Sequence, residues 1–117
     1  MTLNDLNVDW AEEFSGAITV CDRKGTIVYM NQRSVEQFHN YGGAGLLGTN
    51  LLDCHPEPSK TRLKEMLEQP VDNMYTTEKD GKTKIIYQTP WYQSGMFRGV
   101  IEISFQLDGA MPHFFRK

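Results

Sequence analysis

From Asp72 to Gln106 the chain reads as three strand-like runs, the second and third alternating between two faces, and two turn signals separate them. Lys79-Asp80-Gly81-Lys82 carries the Asp-Gly pair of a tight hairpin, and Gln93-Ser94-Gly95 turns the chain again. A period of two over such lengths belongs to half-buried strands, and connections this short join only antiparallel neighbours. The three runs therefore predict a meander over Asp72–Glu78, Thr83–Tyr92 and Phe97–Gln106. Ile85, Tyr87, Thr89 and Trp91 share one face of the second run. Phe97, Gly99, Ile101, Ile103 and Phe105 share one face of the third, opposite Arg98, Glu102, Ser104 and Gln106. Burial of apolar area favours turning the isoleucine-rich face inward, and Val100 is then the one apolar break on the outer face of the third run.

Upstream, Ala17–Cys21 and Thr26–Met30 read as a hairpin around Asp22-Arg23-Lys24-Gly25, with Gly25 suited to the positive φ of the turn. Asn31 ends the second strand and caps a helix over Gln32–His39, which buries Val35 and Phe38. Asn40-Tyr41-Gly42-Gly43-Ala44-Gly45 breaks that helix, and Leu46–Asp53 has room for one or two helical turns. A longer helix runs from about Pro58 to Gln69, with Leu63, Met66 and Leu67 on its inner face and Pro70 as its stop. At the N-terminus, Thr2 and Asp5 form a weak capping box for a helix carrying Leu3, Leu6, Trp10 and Phe14 on one side. The expected architecture is α+β: a five-stranded antiparallel sheet with helices packed on one face and an amphipathic N-terminal cap helix.

At 117 residues the chain has the length of one domain, and with 39% hydrophobic and 23% charged residues it has the composition of a globular one. The net charge of −3 and the scattered Lys and Arg give no nucleic-acid footprint. No apolar run is long enough for a membrane span, and the acidic start lacks the features of a signal peptide, so a cytoplasmic location is expected. Cys21 and Cys54 are too few and too far apart for a disulfide framework or a zinc site.

With these elements in order, the chain resembles the PAS family over residues 15–107. The opening-hairpin pattern of that family is present as Asp22, Gly25, Ile27 and Asn31. Its mid-domain Leu-x-Gly, apolar run and His-Pro are present as Leu46-Leu47-Gly48 through His55-Pro56, and its last strands as Pro90, Gly95 and Gly99. A narrower likeness is to small stand-alone PAS proteins with a Cys-His-Pro motif, here Cys54-His55-Pro56, and a strand like Phe97-Arg98-Gly99-Val100-Ile101-Glu102. The resemblance divides the chain into an N-terminal helix (1–14), the PAS domain (15–107) and a tail (108–117). It implies a sensory module in signal transduction that binds a small molecule in an apolar pocket, passes the signal to a partner protein, and pairs as a homodimer. With no effector segment after Asp108, the output passes through another protein, or the chain is a piece of a longer one.

The residues expected to line the pocket are Phe38, Leu52, His55, Met66, Tyr87, Trp91, Ile101 and Ile103; a filled core made of the same side chains is the plainer alternative. Leu3, Leu6, Trp10 and Phe14 are the expected dimer interface. Some relatives are suspected haem binders, and His55 is the candidate ligand, which makes a haem-based gas or redox sensor one alternative function. His55 otherwise organises the loop entering the long helix. A ligand-free dimerisation scaffold is the other alternative. His39 is a second histidine of the same region. The three glycines at 42, 43 and 45 match neither phosphate-binding pattern, Cys54 lacks the surroundings of a flavin photosensor cysteine, and no nucleophile has a base and an orienting third group, so no catalysis is expected.

Overall fold

A computed structural model describes residues 8–117. The chain runs β1 (Ala17–Asp22), β2 (Ile27–Met30), α1 (Gln32–Gln37), 3-10 turns at His39–Tyr41, Gly43–Leu46 and Leu51–Asp53, α2 (Ser59–Glu68), β3 (Asn73–Lys79), β4 (Lys82–Gln93) and β5 (Met96–Leu107). The strands form one sheet in the order β2-β1-β5-β4-β3, antiparallel at every pairing. The expected α+β sheet is therefore present, with β5 at its centre. Among the described residues no helix is long and apolar enough to cross a membrane.

The corner between β2 and α1 is built around Asn31, whose residue is fully buried. Its Oδ1 accepts from the amides of Ile18 and Ser34, both at 2.9 Å, and its Nδ2 donates to the carbonyls of Ala11 (2.9 Å) and Gly16 (3.0 Å). The Ser34 bond is the N-cap of α1, so one side chain starts the helix, holds it to β1 and fastens the segment before β1. Beside it, the Thr19 and Ser34 hydroxyls are 2.6 Å apart.

The β1–β2 turn is held by Asp22, whose Oδ1 accepts from the amides of Lys24 and Thr26. Gly25 sits at φ +90°, and a Cβ there would fall 2.8 Å from Asn50 Oδ1. From that turn Arg23 reaches the end of α2, donating to the carbonyls of Leu67 and Glu68, both at 3.3 Å. Guanidinium groups at a helix C-terminus satisfy carbonyls that the helix cannot. Leu63, Met66 and Leu67 of α2 then pack on Cys21 of β1 and Val100 of β5.

That packing decides which face of the sheet is inward. Residues directly opposite across antiparallel strands share a face. Cys21 pairs with Val100, Thr19 with Glu102, and Glu102 in turn with Gln88. The helix-covered face thus carries Thr19, Cys21, Gln88, Val100, Glu102 and Ser104. Tyr87, Thr89, Ile101 and Ile103 lie on the other face, which corrects the sequence expectation that they point inward. The reason is the strict period of two: a strand assigned the wrong side inverts every residue at once. Val100, read as an exception, is on the core side.

Gly99 lets the three central strands come together. It sits at φ +152° opposite Asp22, and a Cβ there would lie 2.0 Å from the Cys21 carbonyl oxygen. Trp91, opposite Gly99, reaches past it to donate its indole N–H to that carbonyl at 2.9 Å.

Other boundaries shifted modestly. The helix expected over Gln32–His39 ends at Gln37 and continues as 3-10 turns, and the long helix begins at Ser59 with Pro58 as its N-cap. Of the expected N-terminal helix, Leu3 and Leu6 lie outside the described residues. Trp10–Glu13 form a turn rather than a continuing helix, and no helix or strand follows Leu107.

Asn31→Asp keeps the shape but places an acceptor against the Ala11 and Gly16 carbonyls. Two buried bonds are lost and oxygen faces oxygen, so urea unfolding should show a loss of about 3 kcal/mol or more. A change below ~1 kcal/mol would contradict the role given to this side chain.

Candidate functional site

Between the inward sheet face and the helical segments lies a cavity of about 620 Å³. That volume falls within the range typical of small-molecule sites. The helical wall is largely apolar, with Phe38, Leu46, Leu51 and Leu63, and Ile27 and Met30 of β2 join it. The sheet wall is mixed: Ile86 and Val100 alternate in space with Thr19, Thr77, Lys84, Gln88, Glu102 and Ser104. The site therefore carries more polar groups than the apolar pocket expected from the sequence.

The polar groups of the sheet wall are oriented by one another. Asn73 Nδ2 donates to Gln88 Oε1, and Gln88 Nε2 donates to Glu102 Oε1, both at 2.9 Å. The Gln88 amide thus has one partner at each end, which fixes its orientation and leaves a second N–H on Nε2. Glu102 Oε2 enters no hydrogen bond among the described residues, and neither Glu102 nor Lys84 belongs to an ion pair there. Tyr75, also on the cavity lining, has its phenol held above its ordinary range, first by burial and then by the nearby Glu102 charge. At the other end of the wall Ser104 Oγ donates to Gln37 Oε1 at 3.4 Å.

His55 is placed by a chain of contacts that begins at the β1–β2 turn. Asn50 Nδ2 donates to the Lys24 carbonyl, and Asn50 Oδ1 caps the turn Leu51–Asp53 by accepting from Leu52 N, both at 2.9 Å. The His55 Nδ1 is 2.6 Å from the Leu51 carbonyl oxygen. A carbonyl can only accept, so Nδ1 carries the proton and, in the neutral ring, Nε2 has a free lone pair. The half-buried ring lines the cavity.

Of the residues singled out from the sequence, the structure brings Phe38 and His55 to the cavity. Met66, 1% exposed, belongs to the hydrophobic cluster and lines a neighbouring cavity of about 280 Å³ that shares His55, Leu63, Tyr75 and Gln88 with the first. Leu52 packs against the cluster and does not line the main cavity. Tyr87, Trp91, Ile101 and Ile103 are on the opposite face of the sheet and line neither. Sequence reasoning missed Gln88, Glu102 and Ser104 because polar residues on an alternating strand were read as facing solvent. Val100 among them was the available signal.

A haem in this cavity would meet both walls. His55 has the Nδ1–H to carbonyl bond that metal-binding imidazoles commonly show. The opposing wall, however, would press the Glu102 carboxylate and the Gln88 and Thr19 polar groups against the apolar face of a macrocycle, where they lose water without gaining partners. The lining does not fit haem.

The two thiols differ in character. Cys21 is buried and burial pushes it up to about 11, whereas Cys54 is exposed at the cavity margin.

Comparison with known proteins gives a consistent picture. The family model described as PAS fold matches residues 11–104. Among solved structures, the PAS domain of BvgS from Bordetella pertussis superposes with a TM-score of 0.62 at 16% identity, covering 91% of this chain and 86% of that one. The VqmA dimer of Vibrio cholerae, a LuxR-type receptor, gives a TM-score of 0.63 at 19% identity, covering 93% of this chain and 54% of that one. The Aer2 receptor from Vibrio cholerae, a dual PAS-heme oxygen sensor, gives 0.58 at 15% identity over 80% of this chain and 95% of that one. No curated protein matches the sequence significantly.

Because the thiolate is the reactive form, a disulfide reagent at pH 8 should modify Cys54 quickly in the native protein and Cys21 only after unfolding. Two equally fast thiols by mass spectrometry would mean that the α2 packing over Cys21 is open.

Proposed function

The chain belongs to the PAS fold family, and on that premise we propose that it is a non-catalytic sensory module that binds a small molecule between its sheet and α2 and passes the signal to a partner protein. The observation that carries this reading is the cavity of about 620 Å³ that α2, the 3-10 turns and the sheet leave unfilled. Closely packed interiors rarely keep such a space without an occupant. The mixed lining supports a ligand with both an apolar body and polar groups, since Gln88 and Glu102 are held in fixed orientations before anything binds. Binding there would bear directly on β5, the central strand, whose alternate residues Ile101, Ile103 and Phe105 form part of the outer face. That face is the route by which occupancy reaches a partner.

Pairing with a second copy is part of the same proposal. Trp10 and Phe14 are 65% and 39% exposed and touch edge to face with ring centres 6.1 Å apart. Aromatic pairs left this open to water favour association. Leu3 and Leu6, the other residues of the expected interface, lie outside the described residues.

Two measurements test these statements. Protein purified from cell extract should retain a small organic molecule in native mass spectrometry and show no Soret band. Ile86→Trp, which fills the cavity from its sheet wall, should lose that molecule with an unchanged circular dichroism spectrum. Retention by Ile86→Trp would place the ligand elsewhere, and a Soret band abolished by His55→Ala would replace this reading with haem sensing. In sedimentation equilibrium the protein should behave as a dimer, and Trp10→Ala should weaken it about tenfold or more, the loss expected when an aromatic is removed from an interface; a monomer in both proteins would remove pairing from the proposal.

A further inference from the structure

The segments before β1 and after β5 leave the sheet at the same end, because β1 begins where β5 finishes: Ala17 lies opposite Ser104. Each segment carries aromatic side chains that the domain leaves bare. Before β1, the exposed pair Trp10 and Phe14 rests against Gly16, where a Cβ would fall 2.9 Å from the Phe14 ring. Gly16 precedes Ala17 as Phe105 follows Ser104, so by register Phe105, 44% exposed, faces the same side. Asp9 and Glu13 flank this patch. Both are exposed, and neither belongs to an ion pair among the described residues.

The segment after β5 is equally apolar and opposite in charge. Phe114 and Phe115 are 69% and 94% exposed, Met111 is exposed too, and Arg116 and Lys117 follow. Its aromatic contacts stay within the segment: His113 meets Phe115 edge to face at 4.9 Å, and Arg116 stands over Phe114 at 5.7 Å. Arg116 and Lys117 form no ion pair among the described residues. An aromatic side chain buries about 150–250 Å² when fully covered, so the exposed parts of Trp10, Phe14, Phe105, Phe114 and Phe115 amount to roughly 600 Å² per chain. Met111 and the four charged residues bring this near the ~800 Å² per partner of a stable pair.

We infer that residues 111–117 of one copy lie across the aromatic patch of a second copy, and reciprocally, with Phe114 and Phe115 against Trp10, Phe14 and Phe105 and with Arg116 and Lys117 beside Asp9 and Glu13. The inference rests on the pairing reading above and names what covers its aromatic patch. Seven residues separate Leu107 from Phe114, up to ~24 Å of extended chain, which is enough to cross to a partner. A two-fold exchange makes every contact twice, and it joins complementary surfaces that stay apart within one chain. Patch against patch would instead bring Asp9 and Glu13 of both copies together, and like charges across an interface oppose association.

Charge reversal in the whole chain tests this without touching the core, since all four charged residues are exposed and Glu12, which accepts from the Tyr29 hydroxyl, is left alone. Each exposed ion pair is weak, but a double reversal turns four attractions per dimer into repulsions. In sedimentation equilibrium, Arg116→Glu with Lys117→Glu should weaken pairing about tenfold or more, and so should Asp9→Lys with Glu13→Lys. An equimolar mixture of the two variants should pair as well as the unaltered protein, because each tail then meets a patch of opposite sign on the other chain. That recovery also shows both variants to be folded. Phe114→Ser with Phe115→Ser should weaken pairing about as much as Trp10→Ala. If the reversal at 116 and 117 leaves pairing unchanged while Trp10→Ala weakens it, the inference is overturned and the pairing reading stands. A mixture as weak as either variant alone would also overturn it, the tail then lying on its own chain. A monomeric unaltered protein would overturn both.

Discussion

Asn31 is the residue on which the arrangement of this protein depends. A chain that turns from an edge strand into a helix leaves amides and carbonyls without regular partners, and this corner is buried, so water cannot serve them. One carboxamide answers four of them: its oxygen serves the amides of Ile18 and Ser34, and its nitrogen the carbonyls of Ala11 and Gly16. With its own backbone N–H also on the Ile18 carbonyl, Asn31 fixes where β1 lies relative to α1. Once β1 is fixed, its pairing with β5 places Thr19 and Cys21 beside Glu102 and Val100, and the identity of the inward face follows.

The same logic extends outward through two further fasteners. The turn after β1 holds α2 through Arg23 and holds the loop before His55 through Asn50. Each is a bond from a side chain to backbone groups at the end of a short element, where regular structure runs out of partners. The cavity exists because these fasteners tie the central segment down at its ends while its middle is made of 3-10 turns too short to fill the space beneath them. A continuous helix across residues 39–53 would bring more side chains to that wall. The glycines at 42, 43 and 45 prevent it, Gly42 at φ +118° ending one turn and starting the next.

A single strand, β5, serves both sides of the sheet. Its even-numbered residues Val100, Glu102 and Ser104 line the cavity, and its odd-numbered ones Ile101, Ile103 and Phe105 lie on the outer face. The polar set is inside and the larger apolar set outside, the reverse of what transfer free energies alone favour. Two things make the inversion tolerable. Glu102 and Ser104 have partners in Gln88 and Gln37, and the outer isoleucines are half-buried rather than bare. A strand that carries polar residues toward an interior space is the mark of a site rather than of a core.

How much was legible beforehand follows from the range of each signal. Asp22 and Gly25, Asp80 and Gly81, and Ser94 and Gly95 act within four residues of themselves, so the hairpins and the strand order they imply are written locally. The run from Leu63 to Leu67 likewise reveals the inner face of α2, and Asn31 reveals a helix start. The cap at Asn31 was readable; its bonds to Ala11, Gly16 and Ile18 were not, because they join positions 13 to 20 residues apart. The side of the sheet that faces the helices is a matter of the same kind. Alternation shows that two faces differ without saying which is covered, and the answer came from α2 packing on Cys21 and Val100. The sequence alone thus settled the hairpins, the two main helices and the family likeness, since these rest on short-range turn chemistry and periodicity. Only the tertiary structure decided the inward face and the mixed lining of the cavity, because both depend on contacts between segments whose separation along the chain carries no local trace.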